Sequence, residues 1–268
     1  MSVLSLAMSR SNNVDVLFRL AWRQVQMRYQ DSALGLAWTI IYPLVLLLVF
    51  NFIYSSVFRA RWPTPTGEEG NYALFMFSGL ILYLLVVEML NAATTVVEGQ
   101  AVLIKRTTMD SRLVPIAGAL SALFTFALSL VPFIAFYALQ EGIPPWTAIL
   151  SPLVIALLWL IGLGLVLVIA ATSPYFRDIR QVVPLLTTAM LFLSPIFYQM
   201  SQLPENIAPV IEVLNPLATL IPAFQDLVFY SQIPPLLPLA IWTGVAAVLL
   251  AVAFPFYRRA ARGFADVV

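Results

Sequence analysis

Long apolar runs separated by short charged segments set the plan of this chain. Residues 32–58, 71–87, 113–140, 142–176, 181–204 and 227–257 contain no Asp, Glu, Lys or Arg. A helix crossing a bilayer core of about 30 Å needs about 20 apolar residues. The second run is short, but it continues past Glu88 to Val97. In the fourth, Pro144-Pro145 delays the helix start. The pattern therefore predicts an all-α membrane protein with six transmembrane helices, over 32–58, 72–97, 113–139, 148–172, 181–198 and 234–257. These form one transmembrane domain, 32–257. Segment 199–233, between helices five and six, is read as external. Pro204, Pro209, Pro216 and Pro222 divide its centre into short re-entrant or external helices. Irregular backbone survives at membrane depth only where protein or water shields it.

Residues 1–31 read differently. Val14, Leu17, Phe18, Ala21, Trp22, Val25 and Tyr29 recur at helical spacing, while Asp15, Arg19, Arg23, Gln26 and Gln30 fall elsewhere. Asn12 or Asn13 can cap the start. This is the pattern of an amphipathic interfacial helix, its apolar side in the acyl boundary and its arginines among headgroups. Asp31-Ser32-Ala33-Leu34-Gly35 then breaks the pattern and turns the chain into the membrane.

Composition agrees with the membrane reading: 61% of residues are hydrophobic and 10% charged, where soluble domains are about 25% charged. Net charge is +1, which says nothing about nucleic acid, and no nucleic-acid partner is expected. The placement of charge is informative. Twelve basic residues (Arg10, Arg19, Arg23, Arg28, Lys105, Arg106, Arg112, Arg177, Arg180, Arg258, Arg259 and Arg262) fall on one side of the six-span plan. Only Arg59 and Arg61 fall on the other. The positive-inside rule then puts both termini, including the tail 258–268, in the cytoplasm. No cleavable signal peptide pattern precedes the first run.

Several chemistries are excluded. Without Cys or His there is no thiolate nucleophile, imidazole base or Ser-His-Asp triad, and no Cys-based metal site. No phosphate-binding Gly-x-x-x-x-Gly-Lys loop precedes Lys105, the single lysine. Glu88 is the one clear intramembrane acid, too few for a proton or ion relay, and is read as a hydrogen-bonding structural group. Gly162-x-Gly164, within the fourth helix, permits close helix approach. No catalytic residue, metal or cofactor is assigned to this chain. Energy is expected from another subunit.

The chain resembles the permease subunits of ABC-type polysaccharide exporters. The resemblance begins at Arg28-Tyr29-Gln30-Asp31-Ser32-Ala33-Leu34-Gly35-Leu36-Ala37-Trp38, followed by Pro43. It continues through Tyr72-x-x-Phe75, Gly79-Leu80, Leu103-Ile104-Lys105-Arg106 and Phe176-Arg177-Asp178-Ile179. It ends with Ser194-Pro195-Ile196-Phe197-Tyr198 and Asn215-Pro216-Leu217, so it covers about residues 14–230. Two departures stand out: Met109-Asp110 replaces an aromatic-Pro pair, and Gln225 lies where an Arg is common. The resemblance implies the transmembrane half of a type-2 ABC transporter of the O-antigen, teichoic-acid and capsule exporter group. A homodimer would form the channel in the bacterial cytoplasmic (inner) membrane. Two ABC ATPase subunits, carrying ATP and Mg, would bind beneath it and drive a lipid-linked, O-antigen-like polysaccharide outward.

Within that frame, aromatic rings offer apolar faces to sugar C–H groups, and Tyr adds a polar tip. Trp38, Tyr42, Phe75 and Tyr83 are the candidate substrate pathway. Trp38 and Tyr42 lie one turn apart, as do Phe50, Tyr54 and Phe58, so each set shares a helix face. Glu98, Gly99, Lys105 and Arg106 in the first cytoplasmic loop, with Arg177 and Asp178 in the second, are candidates for coupling to the ATPase. Two alternatives are a membrane-embedded enzyme acting on a lipid-linked substrate and an ion-coupled carrier. The first would need clustered acids near one membrane face. The second would need more buried charge or visible inverted repeats.

Overall fold

The computed structural model describes residues 3–29, 33–58, 61–63, 69–100 and 110–264. At its centre is α3 (Tyr72–Ala93), in which every residue from Ala73 to Tyr83 is buried. A helix apolar on all faces has no side to offer water, so it becomes the axis around which its neighbours close. Asn71 starts it: its Oδ1 accepts from the backbone N–H of Ala73 at 3.0 Å and of Leu74 at 3.3 Å.

Ahead of α3 come α1 (Val3–Tyr29) and α2 (Trp38–Phe50). A 3₁₀ turn, Gly35–Ala37, introduces α2, and a π-helical stretch, Asn51–Val57, follows it. Gly35 has φ +52°, a left-handed conformation that a residue without Cβ adopts easily. The buried stripe of α2 is Thr39, Pro43 and Leu47, at i, i+4 and i+8. A two-stranded ribbon, β1 (Arg61–Pro63) with β2 (Glu69–Asn71), joins the π turn to α3, Arg61 pairing with Asn71. Short α4 (Val96–Gly99) follows α3, and α5 (Leu113–Gln140) packs along α3, α2 and α1.

A 3₁₀ turn, Trp146–Leu150, leads into α6 (Ser151–Thr172), which packs most closely on α10 (Leu236–Ala260). Small residues permit this. A Cβ on Gly164 would lie 2.6 Å from Leu249 Cγ of α10. On the side of α6 that faces α3, a Cβ on Gly162 would lie 2.8 Å from Met89 Cε. Between α6 and α10 lie α7 (Ile179–Leu193), α8 (Ala208–Leu214) and α9 (Pro216–Val228).

Among the described residues, five helical stretches are long and apolar enough to cross a membrane: Gly35–Tyr54, Tyr72–Ala93, Leu113–Gln140, Trp146–Thr172 and Leu236–Gly263. The six-span expectation differs at α7, expected over 181–198 and observed as 15 residues. At about 1.5 Å per residue such a helix is about 22 Å long. The cause is local: Ser194 precedes Pro195 and is extended at φ −103°, ψ 146°, as pre-proline sterics favour. Prolines also separate the short helices α8 and α9, whose first turns hold Pro209 and Pro216.

The apolar stripe expected on α1 divides. Ala21 and Val25 are buried, while Val14, Phe18 and Trp22 remain exposed. Trp22 meets Phe124 of α5 edge-on, with centroids 5.2 Å apart.

Candidate functional site

Two ends of the bundle carry the polar chemistry. One holds Arg112, Arg177, Arg180, Arg258, Arg259 and Arg262 and is called the basic end. Its connections are tied to each other. Glu98 of α4 pairs with Arg180 of α7. Asp110 pairs with Arg112, whose Nε lies 2.9 and 2.8 Å from the two carboxylate oxygens. That hydrogen-bonded guanidinium holds the Asp110 carboxyl below the usual carboxylate range, against an opposing effect of burial. Tyr257 Oη donates to the Ser111 carbonyl at 3.0 Å, and Tyr175 Oη donates to the Ala260 carbonyl at 2.7 Å. The C-terminal helix is thus pinned to both connections.

An apolar cluster lies beneath these bonds. Phe264 is fully buried against Tyr175 and Tyr257, with centroids 6.1 and 5.7 Å away. Val97, Leu167, Ala171 and Ala253 belong to the same cluster.

The coupling candidates fall here in part. Glu98 and Gly99 sit on α4, and Glu98 reaches the second connection through Arg180. Arg177 and Asp178 are exposed in the turn before α7. Lys105 and Arg106 lie outside the described residues. Arg180 is the residue that sequence reasoning leaves unassigned. It stands two positions beyond Asp178, but only the fold shows that Glu98 faces it.

The opposite end is built from segments that the sequence resemblance singles out, brought together from distant parts of the chain. Asn215 Nδ2 donates to Ser194 Oγ at 2.9 Å and to the Leu193 carbonyl at 3.2 Å. Asn215 Oδ1 also accepts from the N–H of Leu217 at 3.0 Å, starting α9. Tyr72 Oη donates to the Phe197 carbonyl at 2.7 Å. A Cβ on Gly79 would lie 3.1 Å from Ile221 Cγ2 and 3.5 Å from Ile196 Cα. Gln225 holds α9 to the central helix, since its Nε2 donates to the Phe75 carbonyl at 3.1 Å and lies 3.2 Å from Ser78 Oγ. A small outer cavity of about 160 Å³ lies beside it, lined by Tyr198, Gln199, Asp226 and Tyr230 among others. Burial raises the Asp226 carboxyl above its ordinary value.

The four pathway candidates divide two and two. Trp38 and Tyr42 are 42% and 54% exposed on one face of α2. They line a groove of about 330 Å³ together with Glu88 of α3 and Thr125 and Ser129 of α5. Phe75 and Tyr83 are buried in the core. Phe75 stacks on Phe229 at 4.0 Å and on Tyr230 at 5.5 Å, and Tyr83 Oη donates to the Thr187 carbonyl at 3.0 Å. The structure therefore joins Trp38 to Tyr42, but not to Phe75 or Tyr83. Among the described residues, no three acidic side chains gather as a metal site.

A bundle of apolar helices with a braced basic end and a proline-built opposite end defines an integral membrane protein. Residues 15–229 match the ABC-2 type transporter family, and the chain belongs to it. It is a membrane transport subunit, not an enzyme, and the ATPase of such systems is a separate subunit. Among curated proteins, it is similar to an O-antigen export system permease protein RfbA of Myxococcus xanthus. Identity there is 25% over 254 residues, covering 94% of this chain and 95% of the relative. An O-antigen export system permease protein RfbA of Klebsiella pneumoniae is 25% identical over 215 residues, 80% of each chain.

Proposed function

We propose that this chain is the permease of an ATP-driven exporter that carries a lipid-linked, O-antigen-like polysaccharide outward across the bacterial cytoplasmic membrane. The observation that carries the reading is the end-to-end similarity to RfbA permeases, over 94% of this chain. Two copies form the conduit, and two ABC ATPase subunits, holding ATP and Mg, bind at the basic end. The basic end faces the cytoplasm, since twelve of the fourteen cationic residues fall there in a six-crossing plan. In that plan α7 and the extended residues after it make the remaining crossing. Both termini are then cytoplasmic, and α1 lies in the interface.

Coupling follows from the ties at the basic end. ATPase subunits press on α4, on segment 101–109 with Lys105 and Arg106, and on the turn holding Arg177 and Asp178. The Glu98–Arg180 pair links α4 to the first turn of α7, so displacement of one is passed to the other. A moving polymer suits a wall of weak, interchangeable aromatic contacts, which Trp38 and Tyr42 supply in their exposed positions. Phe75 and Tyr83 enter the pathway only if the helices around α3 part during transport.

The test is reconstitution of the chain with its ATPase in proteoliposomes supplied with lipid-linked polysaccharide. ATP-dependent transfer of glycan across the bilayer is the expected result. Transfer that ignores ATP, or ATP hydrolysis indifferent to the glycan, would overturn the reading. Impermeant thiol reagents added from outside should label Cys placed at Glu68 and Glu205 and spare Cys at Lys105 and Arg262.

A further inference from the structure

Half of the apolar stripe on α1 packs on the bundle and half does not. Ala21 and Val25 are buried, whereas Phe18 and Trp22 are 60% and 42% exposed, and Phe124 of α5 is 44% exposed. Between the two helices lies a cleft of about 420 Å³, walled by Phe18 and Trp22 on one side and by Leu120, Leu123, Phe124 and Ala127 on the other. Every residue lining it is apolar or aromatic, so it offers hydrocarbon a place and water almost no hydrogen bonds. Its volume falls within the range of small-ligand sites, roughly 300–1,000 Å³.

Contacts along α1 fix the level of the cleft. Trp22 meets Phe124, and two residues further on Gln24 Oε1 lies 3.4 Å from where a Cβ on Gly118 would stand. The helix therefore runs antiparallel to α5, its C-terminal part toward the basic end. Thr125 of α5 shares a groove with Trp38, the first residue of α2. The cleft thus lies at the level where the first spanning stretch enters, which is the boundary between headgroups and hydrocarbon on the basic side.

Helical geometry puts charge on the open rim. Arg19 and Arg23 directly follow the cleft residues Phe18 and Trp22, and they lie one turn apart on an exposed stripe. Among the described residues the ion pairs are Arg112–Asp110 and Arg180–Glu98, so neither Arg19 nor Arg23 has an acid partner. Asp15, one turn before Arg19, is the opposing charge, and two cations against one acid leave the rim positive. Guanidinium pairs suit phosphate oxygens, and the neighbouring cleft suits an alkyl chain. An ammonium-bearing headgroup would bring a like charge beside the arginines.

We propose that the cleft between α1 and α5 binds an anionic phospholipid, with one acyl chain between Phe18, Trp22 and Phe124 and the phosphate held by Arg19 and Arg23. The lipid completes the seating of α1, whose own side chains leave the cleft unfilled. In the orientation given above it belongs to the cytoplasmic leaflet. The cleft's volume suits a single acyl chain, so the occupant is a membrane phospholipid and not the polyprenyl phosphate of a transported glycan.

The test is native mass spectrometry of the full-length chain released from nanodiscs of equal phosphatidylglycerol and phosphatidylethanolamine with matched acyl chains. Phosphatidylglycerol should be retained about tenfold over phosphatidylethanolamine. Arg19→Gln with Arg23→Gln should bring the ratio close to one, Lys at both positions should keep most of it, and Asp15→Asn should raise it. Ala127→Phe, which fills the cleft, should lower retention of both lipids. Arg258→Gln with Arg259→Gln, away from the cleft, should leave the ratio unchanged. Parity in the wild-type chain, or a preference that survives the Arg19 and Arg23 exchange, would overturn the proposal. So would an equal loss in the Arg258 and Arg259 variant. Displacement of phosphatidylglycerol by equimolar polyprenyl phosphate, abolished by Ala127→Phe, would assign the cleft to the transported lipid instead.

Discussion

Glu98 of α4 and Arg180 in the first turn of α7 form an ion pair that joins two connections far apart in the chain. Their side chains are 34% and 33% exposed, so solvent screens the attraction, and exposed pairs are worth about 1 kcal/mol or less. Its importance is geometric. Arg180 Nε is buried without a partner of its own, so Glu98 fixes where the guanidinium points.

Charge reversal tests that role. Glu98→Arg or Arg180→Glu alone should depress glycan export and uncouple ATP hydrolysis from it, with normal insertion. The double exchange should recover much of the loss. Single variants that export at the wild-type rate would show that the pair plays no part in coupling.

The α6–α10 contact depends on an absent side chain. Gly164→Leu would drive a Cβ to 2.6 Å from Leu249 Cγ, and overpacking of this kind costs about 1–3 kcal/mol. Helices in lipid associate through close packing rather than the hydrophobic effect, so nothing offsets the separation. Thermal unfolding in detergent should shift downward, and Leu249→Ala in the same chain should restore part of it.

Gln225 ties α9 to the central helix. Gln225→Leu keeps approximate volume but removes the donor to the Phe75 carbonyl and the contact with Ser78 Oγ. The Phe75 carbonyl keeps its bond from Ser78, so the cost should be about 1 kcal/mol rather than that of an orphaned group. Faster proteolysis between α7 and α9 would register it; an unchanged digestion pattern would count against the tie.

The Asp110–Arg112 pair should be visible in pH dependence. The carboxyl is held below its ordinary value, so its stabilisation is present above the unfolded value of about 3.9 and is lost as pH falls through the lowered folded value. Asp110→Asn should lower the unfolding temperature at pH 7, and the gap should close on acidification below about pH 4. A gap constant with pH would assign the effect to packing.

Much of the architecture is readable one-dimensionally. Each of the five stretches that are long and apolar enough to cross a membrane, among the described residues, overlaps one of the apolar runs, because hydrocarbon thickness imposes helix length whatever the neighbours are. The first, Gly35–Tyr54, divides into 3₁₀, α and π pieces. Counting apolar residues overstates α7, because apolarity continues past Leu193 while Ser194-Pro195 ends the helix. There the steric restriction that a proline places on its neighbour outweighs hydropathy.

Pairing between segments is not readable in the same way. Periodicity puts Trp38 and Tyr42 on one face of one helix, and the fold keeps them there. It cannot tell that α3 is enclosed on all sides, which places Phe75 against Phe229 and Tyr83 against Thr187. In a chain this apolar, lipid-facing and protein-facing positions have nearly the same composition. Sequence alone therefore determined a membrane bundle, the alternation of spans and connections, and the gathering of cationic residues toward one end, because solvation of whole segments dictates those. Which helix became the axis, which aromatic rings stayed accessible, and that Glu98 meets Arg180 and Asn215 meets Ser194 were decided by close packing. That interaction depends on shape and hydrogen-bond geometry between segments distant in sequence, and it leaves little trace in composition.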